Sequence, residues 1–216
     1  MPESHSALDT NDLQNVVQRY QKRIAEHGPT FESLCSGNPE KQRIRHAVHA
    51  GALRGERPAV LDIGCGLGDF YAFLKSNNID SEYTGYDIVP EYVTTSQQAF
   101  PEGRFLHRNI FNDGIEGEFD TIVMSQVFNN RYAHSDNVEV VQQAIELAFA
   151  HARVSASIDM LSTYVDYQNP EVFYYEPEAM FRFAKSITPR VCLRHDYRPY
   201  EYCLQLYHEG ADGYVS

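Results

Sequence analysis

Three glycines stand at positions 64, 66 and 68 in the stretch VLDIGCGLGDF, directly after an apolar run ending in Asp62 and Ile63. Bare backbone at the end of a strand lets a ligand press against the main chain, and a following helix offers unpaired N–H groups. Asp87, 19 residues beyond Gly68, ends a second run, EYTGYDI. A carboxylate at that place can accept both hydroxyls of a ribose. Asn109 closes a third run, RFLHRNI, with an amide able to meet an adenine edge and Ile110 to cover its face. These types and spacings suit a nucleoside ligand. A dinucleotide loop would carry G-x-G-x-x-G, but here the third glycine comes one residue early and Asp69 takes its place; a P-loop would need Gly-Lys-Ser/Thr, which is missing.

The remaining chemistry is sparse. Four cysteines, at 35, 65, 192 and 203, form no C-x-x-C pair and read as reduced thiols. His46 and His49 are three apart on a helical stretch without an evident acidic or cysteine partner, so no metal site is expected. His107 falls inside a strand and reads as packing.

These groups need a scaffold, and 216 residues suffice for one domain with a substantial core. The net charge of −12 disfavours phosphate backbones and anionic membranes, so neither nucleic acid nor membrane is expected as a partner. Lys41, Arg43 and Arg45 are too short a basic cluster to reverse this. MPESHSALDTNDLQ lacks the basic start and apolar stretch of a secretory signal, and no run is long enough to span a bilayer. A cytoplasmic protein is expected.

Two helical segments come first. DLQNVVQRYQKRIAEH repeats apolar residues at Leu13, Val16, Val17, Tyr20 and Ile24 and stops at Gly28-Pro29; after a turn with Gly37 and Asn38, KQRIRHAVHAGAL repeats the pattern with Ile44, Ala47 and Val48. Strands then alternate with helices: strands PAVLDIG, EYTGYDI, RFLHRNI, FDTIVMSQVF and ASIDMLSTYV, and helices GDFYAFLKSN, PEYVTTSQQAF and VEVVQQAIELAFAHA. That alternation predicts parallel pairing with helices on both faces. The aromatic loop YVDYQNPEVFYYEP, the helix EAMFRFAKSI and the strands RVCLRHDY and EYCLQLYH follow. Only Arg198, Pro199 and Tyr200 separate those last strands, which forces an antiparallel hairpin. The expected fold is α/β, a seven-stranded, mostly parallel, doubly wound sheet with a terminal antiparallel hairpin. Residues 1–55 form a helical cap or lid and 56–216 the Rossmann-like domain.

The joint pattern of VLDIGCGLG, the strand end at Asp87 and the strand end at Asn109 resembles the class I S-adenosylmethionine-dependent methyltransferases, over roughly residues 56–209. YQKRIAEHGPT, MLSTYVDY, FYYEPEAMFRFAKSITPR and LRHDYRPYEY are further similar to a group of small bacterial methyltransferases. The resemblance implies S-adenosylmethionine as cofactor and S-adenosylhomocysteine as product. It implies that Asp62, Gly64, Gly66 and Gly68, with Cys65 in the same loop, surround the methionine moiety. Asp87 then holds the ribose, Ile88 lies beside the adenine, and Asn109 and Ile110 contact it, although many members carry Asp where this chain has Asn109. Ser125 and Gln126 match the end of strand four, under the sulfonium. Read from the residues alone, Asp87 could instead cap a helix, Asn109 could be a turn residue and Cys65 a small packing residue.

Methyl transfer from a sulfonium is an in-line displacement that needs alignment and dryness, with a base only if the acceptor must lose a proton. SQVFNN at the end of strand four is not the N/D-P-P-Y used on nucleobase or amide nitrogens. The expected acceptor is an oxygen or nitrogen of a small molecule; a non-catalytic cofactor-binding module and a protein methyltransferase are the rival readings. The acceptor wall is expected from Asn129, Asn130, Arg131, Tyr132 and His134 after strand four, with His134 as base and Tyr132 and Arg131 as the other catalytic candidates. Tyr164, Asp166, Tyr167, Phe173, Tyr174 and Tyr175 after strand five extend it, as do Tyr20, Thr30, Arg43 and Arg45 of the cap. A monomer or homodimer is expected.

Overall fold

The computed structural model describes residues 6–34 and 38–210; the expected turn residue Gly37 and the thiol of Cys35 lie outside them. Helix α1 (Thr10–His27) starts where the Asp9 carboxylate accepts from Asn11 N and ends at Gly28, whose φ of 70° turns the chain away. A 3-10 turn at Phe31–Leu34 follows, then α2 (Pro39–Ala50), capped by the Asn38 side chain with proline in its first turn. Seven strands come next: β1 (Ala59–Ile63), β2 (Glu82–Asp87), β3 (Arg104–His107), β4 (Phe119–Met124), β5 (Ala152–Leu161), β6 (Arg190–Arg194) and β7 (Glu201–Tyr207). Between them run α3 (Asp69–Ser76), α4 (Pro90–Ala99), the single turn α5 (Ile110–Asp113), α6 (Asn137–His151) and α7 (Pro177–Ile187).

The sheet order is β3-β2-β1-β4-β5-β7-β6, parallel from β3 to β5, with β7 antiparallel between β5 and β6. The expected seven-stranded, doubly wound class is therefore what the chain adopts. The crossovers run one way from β1 and the other way from β4, so the chain parts beyond the ends of these two central strands. In an open α/β sheet that cleft is where a ligand sits.

Alternation along the strands sends Leu61, Ile63, Ile122, Met124, Ile158 and Met160 to one face, where Val141, Ala144, Ile145 and Met180 of α6 and α7 cover them. Val60, Val123, Phe70, Leu74, Val93 and Phe105 build the core of the other face with α3 and α4. Beyond that second core the sheet turns polar, presenting buried Ser155, Ser157, Asp159, Glu201 and Gln205. Helix α2 is the lid on this polar strip. It buries Arg45, His46, Val48 and His49 and leaves Ala47 exposed, so the expected apolar face through Ile44, Ala47 and Val48 is not the one that docks. Gln205 Nε2 donates to Val48 O at 2.9 Å and Ser155 Oγ to Ala52 O at 3.2 Å. Several boundaries differ from expectation: β3 stops at His107 and β4 at Met124, short of the expected Ile110 and Phe128. β5 follows α6 with no loop and begins at Ala152, and β6 ends at Arg194, so six residues rather than three join the hairpin. Among the described residues no helix is long and apolar enough to cross a membrane.

Candidate functional site

The glycine loop leaves β1 through three left-handed glycines, Gly64 (φ 75°), Gly66 (53°) and Gly68 (80°). Its backbone is fixed from below. Gly64 N and Cys65 N donate to Tyr86 O at 2.7 and 3.0 Å, Gly66 N donates to Asp87 Oδ2 at 2.8 Å, and Ser96 Oγ donates to Gly66 O at 2.8 Å. Asp87 Oδ1 accepts from Val89 N at 2.8 Å, so the carboxylate is clamped between loop and strand end with lone pairs remaining for a ligand. Burial pushes its pKa up to about 6, against the lowering effect of the Val89 and Gly66 N–H groups. Asp62 is raised to about 7 by burial, opposed by the Tyr83 hydroxyl that donates to it at 2.6 Å.

A cavity of about 310 Å³ opens on this loop, and one of about 60 Å³ adjoins it, both bordered by Gly64, Asp87, Ile88 and Val127. Asp62, Cys65, Gly66, Ser125 and Gln126 face the larger space, and Asn109 and Ile110 the smaller. Ten of the eleven residues expected around a cofactor thus meet at one cleft. Gly68 does not line it. A Cβ there would lie 3.1 Å from the Phe100 ring and 3.2 Å from Phe105, so its glycine serves packing behind the loop. Asn109 caps α5 by accepting from Phe111 N at 3.0 Å, which leaves its amide N–H groups free to donate. Cys65 is buried against the second core, as its packing reading anticipated.

The end of β4 is held by a residue that the sequence reading missed. Asp159 of β5 accepts from Gln126 N (2.6 Å), Gln126 Nε2 (2.9 Å) and Ser125 Oγ (3.1 Å). It thereby holds Gln126 at φ 59°, a region costly for a residue with a Cβ. Asn129 continues the chain of bonds, donating to Gln126 Oε1 at 2.8 Å and accepting from Leu161 N at 3.1 Å. On its far side Asp159 meets His49 Nε2 at 3.0 Å, while His49 Nδ1 lies 2.8 Å from Ser157 Oγ. Burial works against a charged imidazole, but Cys203 and Asp159 beside it raise the His49 pKa; burial likewise opposes the Asp159 charge, yet His49 holds that carboxyl below its usual value. The expectation that His49 lacks an acidic neighbour is thus corrected. The contact is an ion pair, and among the described residues no group of three or more acidic, His or Cys side chains could hold a metal. Asp159→Ala would strand a buried imidazolium and should cost about 3–5 kcal/mol of stability by denaturant titration.

The acceptor wall differs most from expectation. Tyr20, Asn129, Asn130 and Arg45 line the larger cavity. His134, the expected base, is exposed and lines neither cavity. Its backbone N–H, with those of Ala133 and Ser135 and the Ser135 hydroxyl, is bound by the buried Asp12 carboxylate of α1. Burial would raise the Asp12 pKa, but these four bonds hold it below its usual value. Arg131 is exposed too, strapping the loop after β4 to the loop after β5 through Pro170 O (3.0 Å) and Val172 O (3.1 Å), with its guanidinium over Phe173. Tyr132 borders only the smaller cavity.

The expected tyrosines after β5 do not line the site. Tyr164 is exposed and bonded to Glu178, Tyr174 accepts from Asn169 N, and Tyr175 is buried with its hydroxyl on Phe128 O. The strap at Arg131 ties the aromatic loop to its neighbour, where Phe173 packs against Tyr175, while Tyr164 and Tyr167 stay exposed. Thr30 and Arg43 are exposed, and His107 is exposed with Nε2 3.1 Å from Ile88 O instead of packed inside. In their place the cavity is walled by Val16, Arg19, Leu34, Lys41, His46 and Glu201. The Arg45–Glu201 pair is buried at 3.3 Å, and burial holds the His46 pKa down at about 3.

Comparison with known proteins finds methyltransferases. A family model described as a methyltransferase domain matches residues 61–153. The methyltransferase candidate Rv1506c of Mycobacterium tuberculosis is 30% identical over 151 residues, 68% of this chain and 90% of that protein. Among solved structures, magnesium protoporphyrin IX methyltransferase from Synechocystis PCC 6803 with bound S-adenosylhomocysteine superposes with a TM-score of 0.61 at 13% identity, covering 90% of this chain and 95% of that one. The N-methyltransferase NodS from Bradyrhizobium japonicum WM9 superposes with the same score and identity, over 90% of this chain and 99% of its own.

Proposed function

The chain belongs to the class I S-adenosylmethionine-dependent methyltransferases, and within that family we propose that it methylates an oxygen or nitrogen of a small molecule by direct in-line transfer. The enzyme uses S-adenosylmethionine, which supplies the activated methyl group. The fit of this chain to that cofactor rests on the bare left-handed backbone at Gly64 and Gly66 and on the clamped Asp87 carboxylate.

The observation that carries a small acceptor is the roof over the cavity. Val16, Arg19 and Tyr20 of α1 and Lys41 and Arg45 of α2 line the cavity together with the β1 and β4 strand ends and leave it a volume of about 310 Å³. Gln126, Asn129 and Asn130 are the groups proposed to orient the acceptor, and the roof to exclude water. In this reading residues 56–216 carry the cofactor and residues 1–55 act as the cap, with α1 and the 3-10 turn as its movable part. The acidic chain and the unpaired Cys65, Cys192 and Cys203 support a cytoplasmic enzyme without nucleic-acid partners, acting as a monomer or homodimer. The test is transfer of labelled methyl from the cofactor to a cell extract that is afterwards separated into small-molecule and protein fractions. Label on the protein fraction would favour a protein methyltransferase, and cofactor binding with no transfer a binding module.

Asp87 gives two checks on the cofactor site. Asp87→Ala should weaken S-adenosylhomocysteine binding by about 1.5–3 kcal/mol in calorimetry, the scale of a hydrogen bond to a charged group. The ionised carboxylate is the form that accepts ribose hydroxyls, so affinity should rise as pH climbs through about 6. Asp87→Asn should flatten that rise; an unchanged profile would remove Asp87 from ribose binding.

A further inference from the structure

The larger cavity is electrically lopsided. Its floor carries Asp62 of β1, Asp87 of β2 and Asp69 at the start of α3, while its roof carries Arg19, Lys41 and Arg45, with Glu201 of β7 beside Arg45. His46 adds no charge to that roof, since its pKa is held near 3. Arg45 is matched to Glu201 by their buried contact. Lys41 is followed by Gln42, whose Nε2 donates to Asp69 beside the glycine loop, so that end of α2 faces the methionine moiety of the cofactor. The cofactor brings a carboxylate and an ammonium group of its own, and one roof cation has its acidic neighbour outside the cavity lining.

That cation is Arg19. It lies at the opposite end of the roof, where its Nη1 donates to Asn130 Oδ1 at 3.3 Å. Among the described residues its acidic neighbour is Glu171, 4.0 Å away and 71% exposed, an ion pair of little worth in water. Asn130 is itself buried and borders the cavity. A partly desolvated guanidinium, with its planar fork, matches a planar carboxylate through two parallel N–H bonds better than it matches a neutral group.

We infer that the methyl acceptor is a small carboxylic acid, its carboxylate held by Arg19 and Asn130 at the end of the cavity away from the glycine loop. This rests on the small-molecule methyltransferase reading and narrows it. The cap then has a chemical role, because α1 reads the acceptor's charge while Tyr20, one residue on, borders its body.

The test uses the full chain saturated with S-adenosylhomocysteine, titrated by calorimetry with acetate, phenylacetate and benzoate, each against its neutral amide. At least one acid should bind about tenfold or more tightly than its amide, one pKa-scale step of free energy. Arg19→Met should abolish that preference and leave S-adenosylhomocysteine affinity unchanged. Lys22→Met, which removes the same charge from the solvent side of α1, should keep the preference. No acid preferred over its amide, a preference that survives Arg19→Met, or a loss of S-adenosylhomocysteine affinity in that variant would each overturn the inference. Failure of the wild-type chain to bind S-adenosylhomocysteine at all would instead bring down the reading on which it rests.

Discussion

Gly66→Val is expected to abolish S-adenosylhomocysteine binding, by about a hundredfold or more, while far-UV circular dichroism still shows a folded α/β protein. Two effects act together. Gly66 sits at φ 53°, where a β-branched residue is strained by about 1–2 kcal/mol. A Cβ there would also lie 2.9 Å from Leu34 Cδ2. Leu34 ends the 3-10 turn and borders the cavity, so it yields either by pushing its side chain into the ligand's space or by lifting the turn off the cleft. Any shift of Gly66 N also breaks its 2.8 Å bond to Asp87, the proposed ribose acceptor. Gly55→Val supplies the control. Its φ is 89°, but nothing lies within 4 Å of the added Cβ, so it carries the backbone strain without the ligand effect. Binding within a fewfold of wild type in the Gly66 variant would mean that the loop serves the turn alone.

The cofactor side of this cleft was legible in the sequence because it is made by backbone. A strand that stops at a glycine run, and acidic or amide residues at the next two strand ends, are local signals, and topology alone brings strand ends 62, 87, 109 and 125 together. The acceptor side was not legible, because its groups point inward by virtue of contacts remote in sequence. Asp159 looked like one polar residue in an apolar strand, and only the pairing of β5 beside β4 shows it holding Gln126. His49 and Arg45 sit on what reads as the polar side of α2, yet that side docks, because the strip of sheet beneath it is itself polar. Hydrophobic periodicity locates a helix and its apolar face but misassigns a face that is buried through ion pairs. The tyrosine-rich loop misled for a related reason. Aromatic side chains on a connection suggest a binding surface, but Arg131 and the hydroxyl of Tyr175 tie these rings to neighbouring loops.

Removing residues 1–36 should leave a cooperatively folded protein that no longer transfers methyl groups. The fold should survive because α2 is fastened to the sheet independently of α1, through His49 to Asp159 and Ser157 and through Val48 O to Gln205. Its own cap at Asn38 and the proline at 39 lie beyond the deletion. What goes is the half of the roof that α1 and the 3-10 turn supply, namely Val16, Arg19, Tyr20 and Leu34. The buried Asp12 carboxylate also goes, freeing the N–H groups of Ala133, His134 and Ser135 and loosening the loop that follows β4. Water then reaches the reacting centre and the acceptor loses its contacts, so methyl transfer to the cell extract should vanish while circular dichroism and a cooperative thermal transition persist. If α1 closes over bound cofactor, hydrogen exchange in residues 10–27 of the intact chain should slow on adding S-adenosylhomocysteine, more than in α6. Full turnover by the truncated protein would refute the cap's role. Loss of folding would show that α1 is fixed packing, with Asp12 as its rivet.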